Sequence, residues 1–219
     1  MIYKTYIFDF DYTLADATVG IVECVNYALN KMGIEKKDKE DIRKTVGMTL
    51  SNMLSTLTGI TDENSAKQFF THFMHLADKV ITDNTILFPD TISILSRLKE
   101  HGCNTAIVTT KVRYRVEEAL VKYNITKLVD RVVGLEDVTE PKPSPEGLLN
   151  AISHLGSDKQ SVLFTGDSLL DANAAANAGV DFAAVLTGTT EKQSFLALPH
   201  IYIANNLTEI IDYTAERNL

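Results

Sequence analysis

Thr5-Tyr6-Ile7-Phe8-Asp9-Phe10-Asp11-Tyr12-Thr13-Leu14-Ala15-Asp16 begins as a buried strand and stops abruptly on two acids. Tyr6, Ile7 and Phe8 form a short apolar run of strand-favouring residues. Asp9 and Asp11 follow it, straddling Phe10. At the period-two spacing of a strand both carboxylates point the same way, so two like charges are held close together. A cation must offset them, or one must carry a proton. Buried strands do not normally end on paired carboxylates, so this strand end marks a site.

Outward from that stretch the chain changes character twice. Residues 17–83 are helix-patterned, with no convincing strand. Val19, Val22, Val25 and Leu29 fall at helical spacing before Gly33, and further helices are expected over 38–46, 49–58 and 62–82. In the last, Ala66, Phe69, Phe70, Phe73, Met74, Leu76, Ala77, Val80 and Ile81 form a wide apolar stripe suited to a helical bundle. His72 and His75, three apart on that helix, lack the second pair that a metal site needs and read as structural. From Pro89 onward helices and strands alternate. Strands are expected at Asn104–Val108, Arg131–Gly134, Ser161–Thr165, Phe182–Leu186 and, weakly, Ile201–Ile203. Helices are expected over 90–101, 112–123, from the Glu140-Pro141-Lys142-Pro143-Ser144-Pro145 loop to about 155, up to Gly179, and over 206–216. This alternation builds an α/β fold, a central parallel sheet with helices on both faces. The all-helical stretch is then an insertion, giving a core of residues 1–15 and 85–219 and a helical domain of residues 16–84.

Composition narrows the function. The 219 residues carry 29 acids against 21 bases, a formal charge of −8, which argues against sequence-independent nucleic-acid binding. A small anionic substrate stays compatible if the local field is positive. Cys24 and Cys103 show no CxxC spacing and read as buried, reduced thiols, which fits the cytoplasm. No charged and then apolar leader opens the sequence, and no run of about 18 apolar residues occurs, so neither secretion nor a membrane span is indicated. The sequence sets no oligomeric state.

In open parallel sheets ligands bind beyond the carboxyl ends of the strands. Those positions carry Asp9 and Asp11 after the first strand, Thr109 and Thr110 after the second, Lys142 in the loop after the third, and Asp167 with Asp171 after the fourth. Acids converging on one point call for a hard divalent cation with oxygen ligands, and Mg²⁺ is the candidate. A hydroxyl and an ammonium beside that metal are what a transferring phosphoryl group needs.

These residues resemble the haloacid dehalogenase superfamily, in the branch with a helical cap inserted after the first motif, phosphoglycolate phosphatase-like and β-phosphoglucomutase-like. Asp9-Phe10-Asp11-Tyr12-Thr13 is similar to its motif I, Thr109 to motif II, Lys142 to motif III and Gly166-Asp167-Ser168-Leu169-Leu170-Asp171 to motif IV. The resemblance implies a Rossmann-like three-layer core and a Mg²⁺-dependent phosphatase acting on a small phosphorylated metabolite. It implies Asp9 as nucleophile through an aspartyl-phosphate, and Asp11 as general acid and base. Asp9, the Asp11 main-chain carbonyl and Asp167 would be metal ligands. Thr109, Lys142 and the Phe10 and Thr110 amides would bind phosphate, with Thr13 and Asp171 supporting. The side chains of Thr110 and Ser168 read as caps and Lys111 as solvated, while a mere turn or cap role is the lesser reading for Asp16 and Asp171.

Alternatives divide on single residues. A sugar-phosphate mutase of the β-phosphoglucomutase type usually carries a histidine where this chain has Ile21, and a 2-haloacid dehalogenase lacks the second acid that Asp11 provides. A pyrophosphatase uses the same motifs and stays open, whereas intact motifs argue against a catalytically silent binding protein. Tyr12 stands where the family usually has glycine, which leaves movement at the cap hinge open. Gly47-Met48-Thr49-Leu50, between two cap helices, is the candidate loop for substrate choice.

Overall fold

The structure, a computed structural model, describes residues 3–216. The chain divides into two compact units, one made of the residues up to Ala15 and from Leu87 onward, the other of Asp16–Ile86. In chain order the elements are β1 (Thr5–Phe8), β2 (Ala15–Asp16), α1 (Thr18–Lys31), α2 (Lys39–Arg43), α3 (Leu50–Thr58), α4 (Glu63–Val80), β3 (Ile86–Leu87), α5 (Thr91–Glu100), β4 (Asn104–Val108) and α6 (Arg113–Lys122). They continue with β5 (Arg131–Val133), α7 (Glu146–His154), β6 (Val162–Gly166), α8 (Leu169–Ala178), β7 (Asp181–Val185), α9 (Lys192–Phe195), β8 (Tyr202–Ala204) and α10 (Leu207–Glu216).

The larger unit is built on a six-stranded sheet in the order β5-β4-β1-β6-β7-β8, with parallel pairing throughout. The first strand of the chain is therefore central. Phe8 lies opposite Ile107 on one side and Thr165 on the other, which brings three strand ends level. Alternation along β1 sorts its side chains between the two faces. Tyr6 and Phe8 join a buried cluster with Leu95 of α5, Val116 of α6 and Ile210 of α10. Ile7 joins another with Leu148 of α7, Phe164 of β6 and Ala172 of α8. A strand apolar on both faces is what a parallel sheet covered by helices requires, and the expected α/β architecture is the one observed. After the insertion the chain is tied back to β1's own turn, because the Phe88 N–H and the Thr91 hydroxyl both donate to the Leu14 carbonyl, at 3.0 and 2.7 Å.

The smaller unit has its own core. Ile21, Cys24, Val25, Ala28 and Leu29 of α1 share a buried cluster with Met53 and Leu54 of α3 and Phe69, Phe73 and Ala77 of α4. The stripe on α4 is narrower than its composition predicts, since the buried ridge is Phe69, Phe73, Ala77 and then Ile81, and Phe70 is left 42% exposed. A side-chain cap fixes the start of α4, where Asp62 accepts from the Ser65 N–H at 2.9 Å, and an aspartate turn precedes α1, Asp16 accepting from the Thr18 N–H at 2.7 Å. Gly59 closes α3 in the left-handed region. Among the described residues no helix is long and apolar enough to cross a membrane.

Candidate active site

Past Phe8 the ladder continues by one bond, the Asp9 N–H donating to the Thr165 carbonyl at 2.9 Å. The chain then turns tightly, and the Phe10 carbonyl accepts from the N–H groups of Thr13, Leu14 and Ala15 at 3.2, 2.9 and 3.0 Å. Within this turn Tyr12 takes φ +61°, in the left-handed region where a residue with a Cβ is disfavoured by roughly 1–2 kcal/mol. Two bonds hold it there: its N–H donates to Ala15 O at 2.7 Å, and its carbonyl accepts from the Thr187 hydroxyl. The Tyr12 side chain is buried at 2% exposure. A glycine-like backbone is thus held at Tyr12, where the resemblance of motif I leads one to expect glycine.

Lys142 reaches the centre of the site from the loop before α7. Its Nζ donates to Asp9 Oδ1 at 2.8 Å and to Asp171 Oδ1 at 2.5 Å, and all three side chains are buried. The other oxygen of Asp171 accepts from the Ser168 hydroxyl and N–H at 2.6 and 3.1 Å, the capping box that starts α8. Both oxygens of Asp171 are therefore engaged, one by the lysine and one by its own helix cap. Asp167 is held differently, since the Thr13 hydroxyl donates to it at a long 3.4 Å. Thr109 is buried and accepts from the Lys111 N–H at 3.2 Å, so its hydroxyl proton points elsewhere.

Electrostatics follow from this packing. Burial pushes the Asp9 carboxyl up from 3.8 to about 6, with the Lys142 ammonium pulling the other way. Burial also raises Asp167 well above the usual carboxylate range, and the Asp171 and Asp9 charges add to it. For Lys142 burial disfavours the charge, but Asp171 and Asp9 together outweigh that and hold it above the ordinary lysine value. Three buried carboxylates share one ammonium, so the cluster is short of positive charge. Asp9, Asp167 and Asp171 each offer an oxygen, all within 4.8 Å of one another. A hard divalent cation fits this set of oxygen donors and would relieve the strain on Asp167.

Two glycines make room for these acids. A Cβ on Gly188 would lie 1.9 Å from Asp167 Oδ2, and one on Gly166 would lie 2.5 Å from Asp171 Cβ and Cγ. Thr187 and Gly188 follow β7, and the rule that places ligands beyond the carboxyl ends of parallel strands applies to this strand as to the others.

Lys111 departs from the expectation that it is solvated. Its Nζ donates to both oxygens of Asp11, at 2.7 and 2.9 Å, with each side chain 9% exposed. The pairing spans 100 residues and leaves no local signature beyond the Thr109-Thr110-Lys111 run at a strand end. Thr110 lies in the same turn, between Thr109 and Lys111. Ser168 acts as the cap expected of it. His72 and His75 belong to no metal-ligating group found among the described residues; the His75 ring stacks on Tyr27 at 6.2 Å and its Nε2 lies 3.4 Å from Lys79 Nζ.

Comparison with known proteins gives a consistent picture. A family model described as haloacid dehalogenase-like hydrolase matches residues 6–185. The chain is 30% identical over 213 residues to "Pyrophosphatase PpaX" of Bacillus velezensis, covering 95% of this chain and 94% of that one. It is 31% identical over 197 residues to "Phosphoglycolate phosphatase" of Rhodobacter capsulatus, covering 89% of each. A crystal structure from Bacteroides fragilis, described as a haloacid dehalogenase-like hydrolase, superposes with a TM-score of 0.92 at 42% identity, covering 95% of this chain and 99% of its own.

Proposed function

The chain belongs to the haloacid dehalogenase-like hydrolase family, and from that premise we propose that it is a Mg²⁺-dependent phosphatase which hydrolyses a small phosphomonoester by way of Asp9. The observation that carries this reading is the buried Asp9–Lys142–Asp171 arrangement beside Asp167, with Asp11 two residues from Asp9. Asp9 and Asp167, with the main-chain carbonyl of Asp11, would hold Mg²⁺; Asp171 holds Lys142 instead, because both of its oxygens are already engaged. When bound, Mg²⁺ supplies charge that offsets the repulsion between a carboxylate nucleophile and an anionic phosphoryl group.

The remaining steps fall to the chain's own groups. A carboxylate oxygen of Asp9 attacks phosphorus as the bond to the leaving oxygen breaks, forming an aspartyl-phosphate. Asp11, once it has released an oxygen from Lys111 and taken up a proton from solvent, gives that proton to the leaving oxygen, then takes one from the water that hydrolyses the acyl phosphate and regenerates Asp9. Lys142 and the Thr109 hydroxyl bind the phosphoryl oxygens, with the Phe10 and Thr110 amides. Thr13 positions Asp167. The helical unit Asp16–Ile86 is assigned the role of cap, with Gly47-Met48-Thr49-Leu50 setting substrate choice; Gly47 takes φ +92° and Thr49 caps α3.

Diphosphate is a second candidate substrate, favoured by the relative named as a pyrophosphatase. The mutase reading loses ground because Ile21 is an apolar, buried member of the helical unit's own core. The cytoplasm remains the proposed location, in keeping with two buried cysteine thiols. Asp9→Asn tests the mechanism: turnover of phosphoglycolate, diphosphate and an aryl phosphate should fall by at least about a thousandfold with the circular dichroism spectrum unchanged. Retention of more than a few per cent of activity rules Asp9 out as nucleophile.

A further inference from the structure

The loop after β7 meets two separate parts of the proposed metal seat. The Thr187 hydroxyl donates to the Tyr12 carbonyl, in the turn after β1. The next residue, Gly188, stands so close to Asp167 that a Cβ on it would lie 1.9 Å from Oδ2. A backbone ladder joins β7 to β6, the strand that Asp167 follows, whereas β1 lies one strand further away. Contact between this loop and the β1 turn is therefore made outside the ladder, and Thr187 makes it.

The bond falls where the backbone most needs support. Tyr12 takes φ +61°, disfavoured for a residue with a Cβ and kept only where the surroundings fix it. Its N–H, which donates to Ala15 O at 2.7 Å, belongs to the same peptide as the Asp11 carbonyl. That bond and the one from Thr187 hold the two peptide planes on either side of Tyr12, and with them the direction of the Asp11 carbonyl. The other link between this turn and Asp167 is weak, because the Thr13 hydroxyl lies 3.4 Å from Oδ1, long for a bond between two oxygens.

We propose that Thr187 is a positioning residue for the metal seat: its hydroxyl ties the turn after β1 to the loop that confines Asp167, so that the Asp11 carbonyl and the Asp167 carboxylate face one ion. This rests on the reading of Asp9, Asp167 and the Asp11 carbonyl as Mg²⁺ ligands. It adds a residue that is itself no ligand and comes from another strand end.

The test compares full-length wild type, Thr187→Val and Thr187→Ser without substrate. Valine keeps the shape of threonine and removes the hydroxyl, whereas serine keeps the hydroxyl. By titration calorimetry, Mg²⁺ affinity falls about 10- to 100-fold in Thr187→Val, the range for groups that orient a metal ligand, and stays within about threefold of wild type in Thr187→Ser. In the metal-free protein, the amides of residues 12–15 exchange with solvent faster in Thr187→Val than in wild type. An affinity in Thr187→Val within about twofold of wild type overturns the proposal. An equal loss in Thr187→Ser also overturns it, since packing and not the hydroxyl would then be responsible. Should Thr187→Val fail to fold, hydrogen exchange of the wild type decides: Mg²⁺ slows exchange in residues 186–191 as well as in residues 9–15, although that loop is assigned no ligand, and unchanged exchange in the loop overturns the proposal. A wild type that binds no Mg²⁺ refutes the metal reading and takes this inference with it, whereas normal binding in Thr187→Val refutes the inference alone.

Discussion

Gly188 shows how little space the acids of this site possess. Its φ lies outside the left-handed region, so alanine meets no backbone objection there, but the added methyl would lie 1.9 Å from Asp167 Oδ2. The carboxylate must give way, and it has one long hydrogen bond, from Thr13, to hold it. Gly188→Ala is therefore expected to keep the fold and to weaken Mg²⁺ binding about 10- to 100-fold, the range for disturbing groups that orient a metal ligand. Titration calorimetry on the variant without substrate checks this, and an unchanged Mg²⁺ affinity would show that Asp167 does not bind the ion. Tyr12 illustrates the opposite economy. Its strained φ is disfavoured by roughly 1–2 kcal/mol, whereas burying an aromatic ring contributes about 3–5 kcal/mol by the cost of truncating one. The ring outweighs the strain, so a tyrosine can stand where the family pattern has glycine.

Among the elements, α8 joins the fold and the site most directly. Ser168 starts the helix, and its hydroxyl also donates to the Asp171 oxygen opposite the one that holds Lys142. Ser168→Ala should cost about 1 kcal/mol for the lost cap, a fall in Tm of roughly 2–4 °C for a chain of this size, with a several-fold loss of kcat. Thermal melts and steady-state rates check both, and an unchanged Tm would mean the cap adds no stability. Element by element, the sequence was most readable where apolar runs were bounded by turn residues. The strand expected at Asn104–Val108 has the same ends in the structure. β6 is shifted by one residue from the expected Ser161–Thr165, because Ser161 closes a 3-10 turn and Gly166 still pairs with Ala184. The second helix of the insertion ends at Arg43, short of the expected 46, where the Thr45 hydroxyl turns back to the Ile42 carbonyl at 2.7 Å. The ribbon of β2 and β3, two residues each, and the four-residue α9 are too short to show any period. In the site, Asp9, Lys142, Asp167 and Asp171 stand at strand ends that the sequence pattern marks, whereas the pairing of Lys111 with Asp11 and the closeness of Gly188 to Asp167 leave no motif in the chain.

For the molecule as a whole, the buried carboxylates make stability depend on pH in an uncommon direction. Asp9 is raised from 3.8 to about 6 in the folded state, so the folded form binds the proton more tightly than the unfolded form does. That contribution is most favourable below about pH 4 and is lost as pH rises through about 6. Asp130 and Glu146 are lowered, Asp130 by the Lys99 ammonium and the Thr105 N–H against the effect of burial and Glu146 by backbone N–H groups, so their opposite contributions are lost as pH falls below about 4. The comparison that isolates Asp9 is the difference in Tm between wild type and Asp9→Asn, both free of metal. Relative to the variant, wild type should lose stability between pH 4 and 6, and Mg²⁺ should raise the Tm of wild type more at pH 7 than at pH 5. A difference independent of pH would contradict the burial argument.

The central place of β1 also sets the order in which the molecule can be built. Its neighbours β4 and β6 begin at residues 104 and 162, so β1 has no partner until about 100 further residues have been synthesised. At a synthesis rate of roughly 5–20 residues per second the wait is on the order of 5 to 20 seconds. During that time Tyr6, Ile7 and Phe8 are an apolar segment without its sheet, while Asp16–Ile86, contiguous in sequence and with its own core, can form first. The helical insertion thus occupies the interval in which the strand leading to Asp9 stands unpaired.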